Sequence, residues 1–241
     1  MKFYLLASGS KGNCFLIESD DDVLVIDCGS SKHHLVTSFN SVNINRQKVV
    51  GVLLTHAHTD HISQLQLFKD KKIYAPFSIG DFAIEVIKPY TSFNIKGFTI
   101  TPIPLSHDSE MTVGYIVENK TEKLVYITDT GYVKSSQYKH IEDATYYIVE
   151  SNHDPEMLME TKRPHYVKQR ILSSNGHLCN EDCAEMLDSI ITENTKEIVL
   201  AHLSEEANTV ELAEAVVRER INKSTIKVRA ARQFAILEGG S

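Results

Sequence analysis

Val49-Val50-Gly51-Val52-Leu53-Leu54-Thr55-His56-Ala57-His58-Thr59-Asp60-His61 is a buried strand running straight into a polar loop. The apolar run from Val49 to Leu54 is rich in β-branched side chains, as fully buried strands are. The loop then sets three imidazoles and a carboxylate within six residues. Burying such groups is costly unless each has a partner. A strand followed by a tight turn fans them toward one point, and imidazole with carboxylate suits Zn²⁺, Mn²⁺ or Fe²⁺.

Further strands are expected outward from this stretch at Phe3 to Ala7, Cys14 to Ile17, Val23 to Ile26, Phe98 to Ile103, Thr112 to Val117 and Leu124 to Ile127. Tyr146 to Val149, Ile198 to Ala201, Ile226 to Val228 and Phe234 to Leu237 continue the series. Helical spacing predicts helices over Ser78 to Lys88, Glu181 to Ile191 (capped by Asn180) and Thr209 to Ile221. Helices between two groups of strands fit two sheets better than one doubly wound sheet, so the fold class expected is α/β, a four-layer αββα sandwich.

The 241 residues show no linker, low-complexity tract or solenoid repeat, and read as one domain over 1–241. With 42% hydrophobic and 24% charged residues, the chain is not disordered, collagenous or a coiled coil. No apolar run approaches the roughly 20 residues of a membrane helix. Phe3 to Ala7 is too short for a secretory leader. Cys14, Cys28, Cys179 and Cys183 form no C-x-x-C pair and no disulfide scaffold, so a cytoplasmic location is the expectation. Cys179 and Cys183 read as small buried side chains on one helix face. A count of 11 His is unusual and points to metal or proton chemistry.

The loop motif resembles that of the metallo-β-lactamase-fold hydrolases, whose pattern continues with a His, an Asp and a last His at successive strand ends. Ser106-His107-Asp108, Thr128-Asp129-Thr130-Gly131 and Ala201-His202-Leu203-Ser204 stand in that order, spaced by 22 and then 73 residues. The resemblance implies two divalent ions (Zn, Mn or Fe). His56, His58 and His107 would hold one, Asp60, His61 and His202 the other, with Asp129 bridging. Such ions would activate a shared water as the attacking hydroxide. Asp27 is either a turn-former before Gly29 or a support orienting a ligand histidine. Gly9-Ser10-Lys11-Gly12-Asn13, Glu150-Ser151-Asn152-His153-Asp154 and Gly176-His177-Leu178-Cys179-Asn180-Glu181-Asp182 are similar to blocks of the WalJ-type subgroup (also called YycJ or VicX). That subgroup implies 5′→3′ exonuclease activity on DNA.

On the same resemblance, His177 would protonate the leaving oxygen and Glu150 would hold it protonated; the plain alternative for His177 is a loop histidine capping a helix. Asp60 joins these as a catalytic candidate. His153 contacts substrate or sits in a turn. His33, His34, His140 and His165 read as surface residues. A net charge of −7 does not advertise nucleic acid, but Lys162, Arg163, Lys168 and Arg170 could grip phosphates. Arg218 to Arg232 reads as a solvated basic face. Rival functions are hydrolysis of small phosphodiesters or thioesters, and a non-catalytic member binding nucleic acid or a partner. No membrane and no obligate protein partner are expected.

Overall fold

A computed structural model describes residues Met1–Ser241. In chain order the elements are β1 (Lys2–Ala7), β2 (Cys14–Ser19), β3 (Asp22–Ile26), α1 (Lys32–Ser41), β4 (Val49–Leu53), α2 (Thr59–Ile62), β5 (Ile73–Ala75) and β6 (Ile84–Val86). Then follow β7 (Phe93–Ile95), β8 (Phe98–Leu105), β9 (Thr112–Glu118), β10 (Lys123–Ile127), α3 (Tyr138–Ile141), β11 (Tyr146–Glu150), α4 (Pro155–Glu160) and α5 (His165–Ile171). The chain closes with α6 (Asn180–Ile190), β12 (Glu197–Ala201), α7 (Val210–Ile221), β13 (Lys227–Ala230) and β14 (Leu237–Gly240).

Two sheets carry these strands, in the orders β14-β1-β2-β3-β4-β5-β6 and β13-β12-β11-β10-β9-β8-β7. Each is antiparallel on one side and parallel on the other. Pairing changes from antiparallel to parallel at β3 in the first sheet and at β10 in the second. Strand alternation builds three apolar layers. Phe3, Leu5, Phe15 and Ile17 face Val113, Tyr115, Tyr126 and Tyr146 across the middle of the sandwich. There Phe15 stacks on Tyr126 with ring centroids 5.1 Å apart. Tyr4, Leu6 and Leu16, on the opposite face, meet Leu35 and Phe39 of α1. On the second sheet Ile127, Tyr147, Val149 and Leu200 meet Leu187 of α6 and Val217 of α7. The αββα layering is therefore as expected. Because β1, β2 and β11 are buried on both faces, they read as continuous apolar runs rather than alternating ones. No helix is long and apolar enough to cross a membrane.

The helix expected over Ser78 to Lys88 is not formed. Gly80 takes φ +42, and Ile84–Val86 instead pairs in parallel with β5. Ile79, Phe82 and Ile84 still pack on the outer core of the first sheet. Of the other residues whose spacing suggested a helix, Ile87 is buried in the layer between the sheets and Val86 is exposed, so they do not share one face. The helix at 180–190 begins one residue earlier than expected. Its cap is Cys179, whose sulfur accepts from the Asp182 amide, while the Asn180 side chain bonds Ser151 and Asn208. The last strand is shifted to Leu237–Gly240, paired with β1, and Phe234 is left exposed.

Gly29 explains how α2 comes so close to the end of β3. A methyl group on Gly29 would lie 1.5 Å from the Asp60 carbonyl oxygen. On either side, the Asn13 amide donates to Asp60 O (2.8 Å) and the Cys28 amide to His61 O (2.7 Å). Gly29→Ala is expected to cost at least about 3 kcal/mol, the upper range for overpacking a rigid contact. Tm should fall by about 6–12 °C in a chain of this size. Metal uptake should fall with it, because Asp60 and His61 ride on α2. Calorimetric unfolding alongside metal analysis checks both effects.

Candidate metal centre

The site lies along the carboxyl ends of the parallel-paired strands β3, β4, β10, β11 and β12, where α/β sheets place their ligands, and the end of the antiparallel β8 joins them. β4 runs into Thr55 and His56; His58 immediately precedes α2, which carries Asp60 and His61. β8 is followed by Ser106 and His107, β10 by Thr128 and Asp129, and β12 by His202, while Glu150 ends β11. Asp27, Asp129 and His202 take left-handed φ values of +59, +58 and +55. Strained backbone of this kind costs of order 1 kcal/mol per residue and concentrates at functional sites. Here it turns each side chain out of its strand toward the centre. Asp27 and Asp129 follow β3 and β10, the two strands at which pairing changes from antiparallel to parallel.

Donor atoms of His56, His58 and His107 lie within 4.8 Å of one another, as do those of Asp60, His61 and His202. Asp129 stands between the groups. Its Oδ1 is 3.4 Å from His202 Nε2 and 3.8 Å from His107 Nε2, and its Oδ2 is 3.2 Å from His61 Nε2. His56 Nε2 and His202 Nε2 are buried and have no hydrogen-bond partner. Orphaned buried nitrogens demand an explanation. Facing imidazoles as close as the 4.1 Å between the His56 and His61 ring centroids, they are fitted to divalent cations.

In His56, His61, His107 and His202 the other ring nitrogen is held from behind, as in metal-binding imidazoles. Asp27 Oδ2 lies 2.7 Å from His61 Nδ1 and accepts from Thr55 Oγ1 at 2.8 Å. Thr55 Oγ1 is 3.0 Å from His56 Nδ1. His107 Nδ1 is 3.2 Å from the Gly176 carbonyl oxygen. Glu150 Oε1 lies 2.9 Å from His202 Nδ1 and 2.7 Å from His177 Nδ1. One carboxylate thus serves two histidines, which was not foreseen. Nor was Asn13, whose side-chain nitrogen is 2.9 Å from His61 Nε2 and whose amide group also clasps Gly9. That contact spans 48 residues and leaves no local trace in the sequence.

Burial pushes His56 and His107 below the ordinary imidazole range, with His61 adding to the effect on His56 and His177 to that on His107. Burial also opposes charge on His202 and His61, but Asp129 outweighs it, aided by Glu150 at His202 and by Asp27 at His61. His202 is raised to about 9 and His61 well above its usual value. Glu150 would likewise be raised by burial, yet His177 and His202 hold it at about 2. Without metal, His202 therefore keeps a proton up to about pH 9, and an ion must displace it. Metal uptake at pH 7 is expected to release at least about one proton per chain. The apparent affinity should rise with pH as the protons on His202 and His61 are lost. Titration calorimetry in two buffers of different ionisation enthalpy measures the release.

Of the basic residues named above, Lys168 is corrected. It is buried and its ammonium is spent on the Met159 carbonyl at the end of α4, so it offers nothing to a phosphate. Arg163 pairs with Glu206 at 2.9 Å. Lys162 is exposed without a carboxylate partner. Arg170 Nη1 lies 3.1 Å from Asp108 Oδ2, and Asp108 Oδ1 is 3.2 Å from His107 Nε2. Only one side chain separates that guanidinium from the centre. His153 is buried, with both ring nitrogens unpartnered. His34 is half-buried, not a surface residue, with Nε2 2.7 Å from the Leu6 carbonyl oxygen.

A profile described as the beta-lactamase superfamily domain matches residues 23–203. The protein named exodeoxyribonuclease YycJ of Bacillus anthracis is 34% identical over 96% of this chain and 93% of its own length. The chain belongs to the metallo-β-lactamase-fold superfamily, in its YycJ/WalJ branch. A protein named exodeoxyribonuclease WalJ of Streptococcus pneumoniae is 30% identical over 94% of this chain and 90% of its own. Among solved structures, the metallo-beta-lactamase fold protein YhfI from Bacillus subtilis superposes with a TM-score of 0.71 over 99% of both chains, at 19% identity. That likeness speaks to the fold alone.

Proposed function

We propose that the chain is a metal-dependent exodeoxyribonuclease that removes nucleotides from a DNA 5′ end. His56, His58 and His107 hold one divalent ion, Asp60, His61 and His202 a second, and Asp129 serves both. The observation that carries this reading is the pair of three-donor groups sharing Asp129, in a chain similar over nearly its whole length to two exodeoxyribonucleases. When bound, two such ions supply an activated water and neutralise charge on a transferring phosphate.

The chain's own residues supply the rest. With Nδ1 taken by Glu150, His177 has only Nε2 free to give a proton to the leaving 3′-oxygen. Thr55 and Asp27 fix the rings of His56 and His61, so the donor sets are in place before substrate arrives. Arg170 grips a phosphate beside the centre, and Lys162 extends that grip. Contacts to phosphate carry no base information, so cleavage is sequence-tolerant. Arg170→Gln is expected to weaken DNA binding for all sequences and to lower the salt slope of log K by about 1.

The test is a purified, metal-reconstituted sample given end-labelled DNA, RNA and a small chromogenic phosphodiester. Mononucleotides released from the 5′ end of DNA support the proposal. Intact DNA beside rapid turnover of the small ester would replace it with a small-molecule hydrolase.

A further inference from the structure

Beside the metal centre lies a cavity of about 170 Å³, lined by Tyr90, Pro104, Leu105, Ser106, Tyr132, Lys134 and Gln137. We infer that this cavity receives one nucleobase of the DNA strand by stacking on Tyr132 and Tyr90, with Lys134 neutralising the adjoining phosphate. The inference rests on the exodeoxyribonuclease reading and deepens it.

Two of the segments that line the cavity carry metal-centre residues, and Tyr90 comes from the turn before β7. Ser106 precedes His107, and Tyr132 lies three residues after Asp129. The loops are stitched together: the Gly131 amide donates to Ser106 O (2.9 Å), and the Ser106 amide donates to Thr130 Oγ1 (3.2 Å). Thr130 Oγ1 in turn donates to Tyr132 O at 2.8 Å. A base held here is therefore in fixed register with the centre. Both tyrosines are exposed, 47% for Tyr90 and 39% for Tyr132. Tyr90 stands at φ +61 and is backed by His140, with ring centroids 5.1 Å apart. The polar floor is already spent. Gln137 Nε2 donates to Pro104 O, and its Oε1 accepts from the Lys134 amide. What the cavity offers is two tyrosine rings with the Gln137 amide already engaged, the kind of platform that holds single strands of any sequence. Lys134 is exposed and has no carboxylate within ion-pair distance, so its charge is free for a phosphate.

The test uses the metal-loaded protein and single-stranded oligonucleotides with a nuclease-resistant phosphorothioate backbone, carrying one abasic site moved stepwise from the 5′ end. One position is expected to lose about 5- to 150-fold in affinity, the range for removing one base–aromatic stack. That positional loss should vanish in Tyr132→Ala and persist in Tyr132→Phe. 2-Aminopurine at the same position should be quenched on binding to the unaltered protein, a readout that does not depend on any variant folding. An equal effect at every position, or a positional loss that survives in Tyr132→Ala, overturns the stacking site while leaving the nuclease intact. Failure of every DNA to bind, or of unmodified DNA to be cleaved, overturns the nuclease reading itself.

Discussion

Asp129→Asn is expected to end DNA cleavage while leaving the fold in place, and to leave the chain short of its full metal complement. Asp129 sits at φ +58, a conformation that asparagine tolerates and alanine does not, so the amide removes charge without adding strain. The side chain is buried, and Asn fills the same volume. What disappears is the anion. Asp129 is the carboxylate nearest the Nε2 atoms of His61 and His202, and those two rings hold it well below the usual carboxylate range against the cost of burial. An amide accepts more weakly than a carboxylate and cannot offset two cations. A lost Lewis-acid contact removes several kcal/mol of transition-state stabilisation. About 4 kcal/mol corresponds to about 10³-fold in rate. Elemental analysis should fall below two ions per chain, with circular dichroism unchanged. Two ions and near-normal turnover in this variant would remove Asp129 from the bridging position.

What could be read in the sequence was what the chain keeps local. His56, His58, Asp60 and His61 lie within six residues after a buried strand, so one strand end brings them together. His107, Asp129 and His202 were picked out by the family resemblance, whose pattern sets a His, an Asp and a last His after successive strands; each does follow an apolar run. The contacts that tune the site are long-range and left no such mark. Glu150 meets His202 across 52 residues, and Asn13 meets His61 across 48. Lys168 looked like a free cation because a charge in a short basic stretch does not reveal where its ammonium points. The supposed helix at 78–88 failed for a related reason. Ile79, Phe82, Val86 and Ile87 recur at helical spacing, but the chain turns at Gly80 into an edge strand that sends Ile87 to the inter-sheet layer and leaves Val86 in solvent. The partner strand β5 decided the outcome, and at three residues it was too short to be recognised.

His177→Ala is expected to slow DNA cleavage by about 10²–10⁴-fold, the usual cost of losing general acid help, with both ions retained. Metal content separates the possible roles, because His177 also falls in a four-residue donor group with Asp129, Glu150 and His202. Its Nδ1 is 3.9 Å from Asp129 Oδ1 but only 2.7 Å from Glu150 Oε1. The shorter contact assigns that nitrogen to the carboxylate and leaves Nε2 for the substrate. Glu150→Gln should then behave differently from His177→Ala. It removes the acceptor behind a metal-binding histidine as well as the one behind His177, so metal affinity should drop by about 10–100-fold, as when such supports are lost elsewhere. Turnover should fall even at saturating metal. Adding His177→Ala to Glu150→Gln should cost much less than it does alone, since residues that act as one unit are not additive. If His177→Ala instead lost an ion while Glu150→Gln kept both, His177 would be a ligand, and His202 would no longer be the last donor of the second ion.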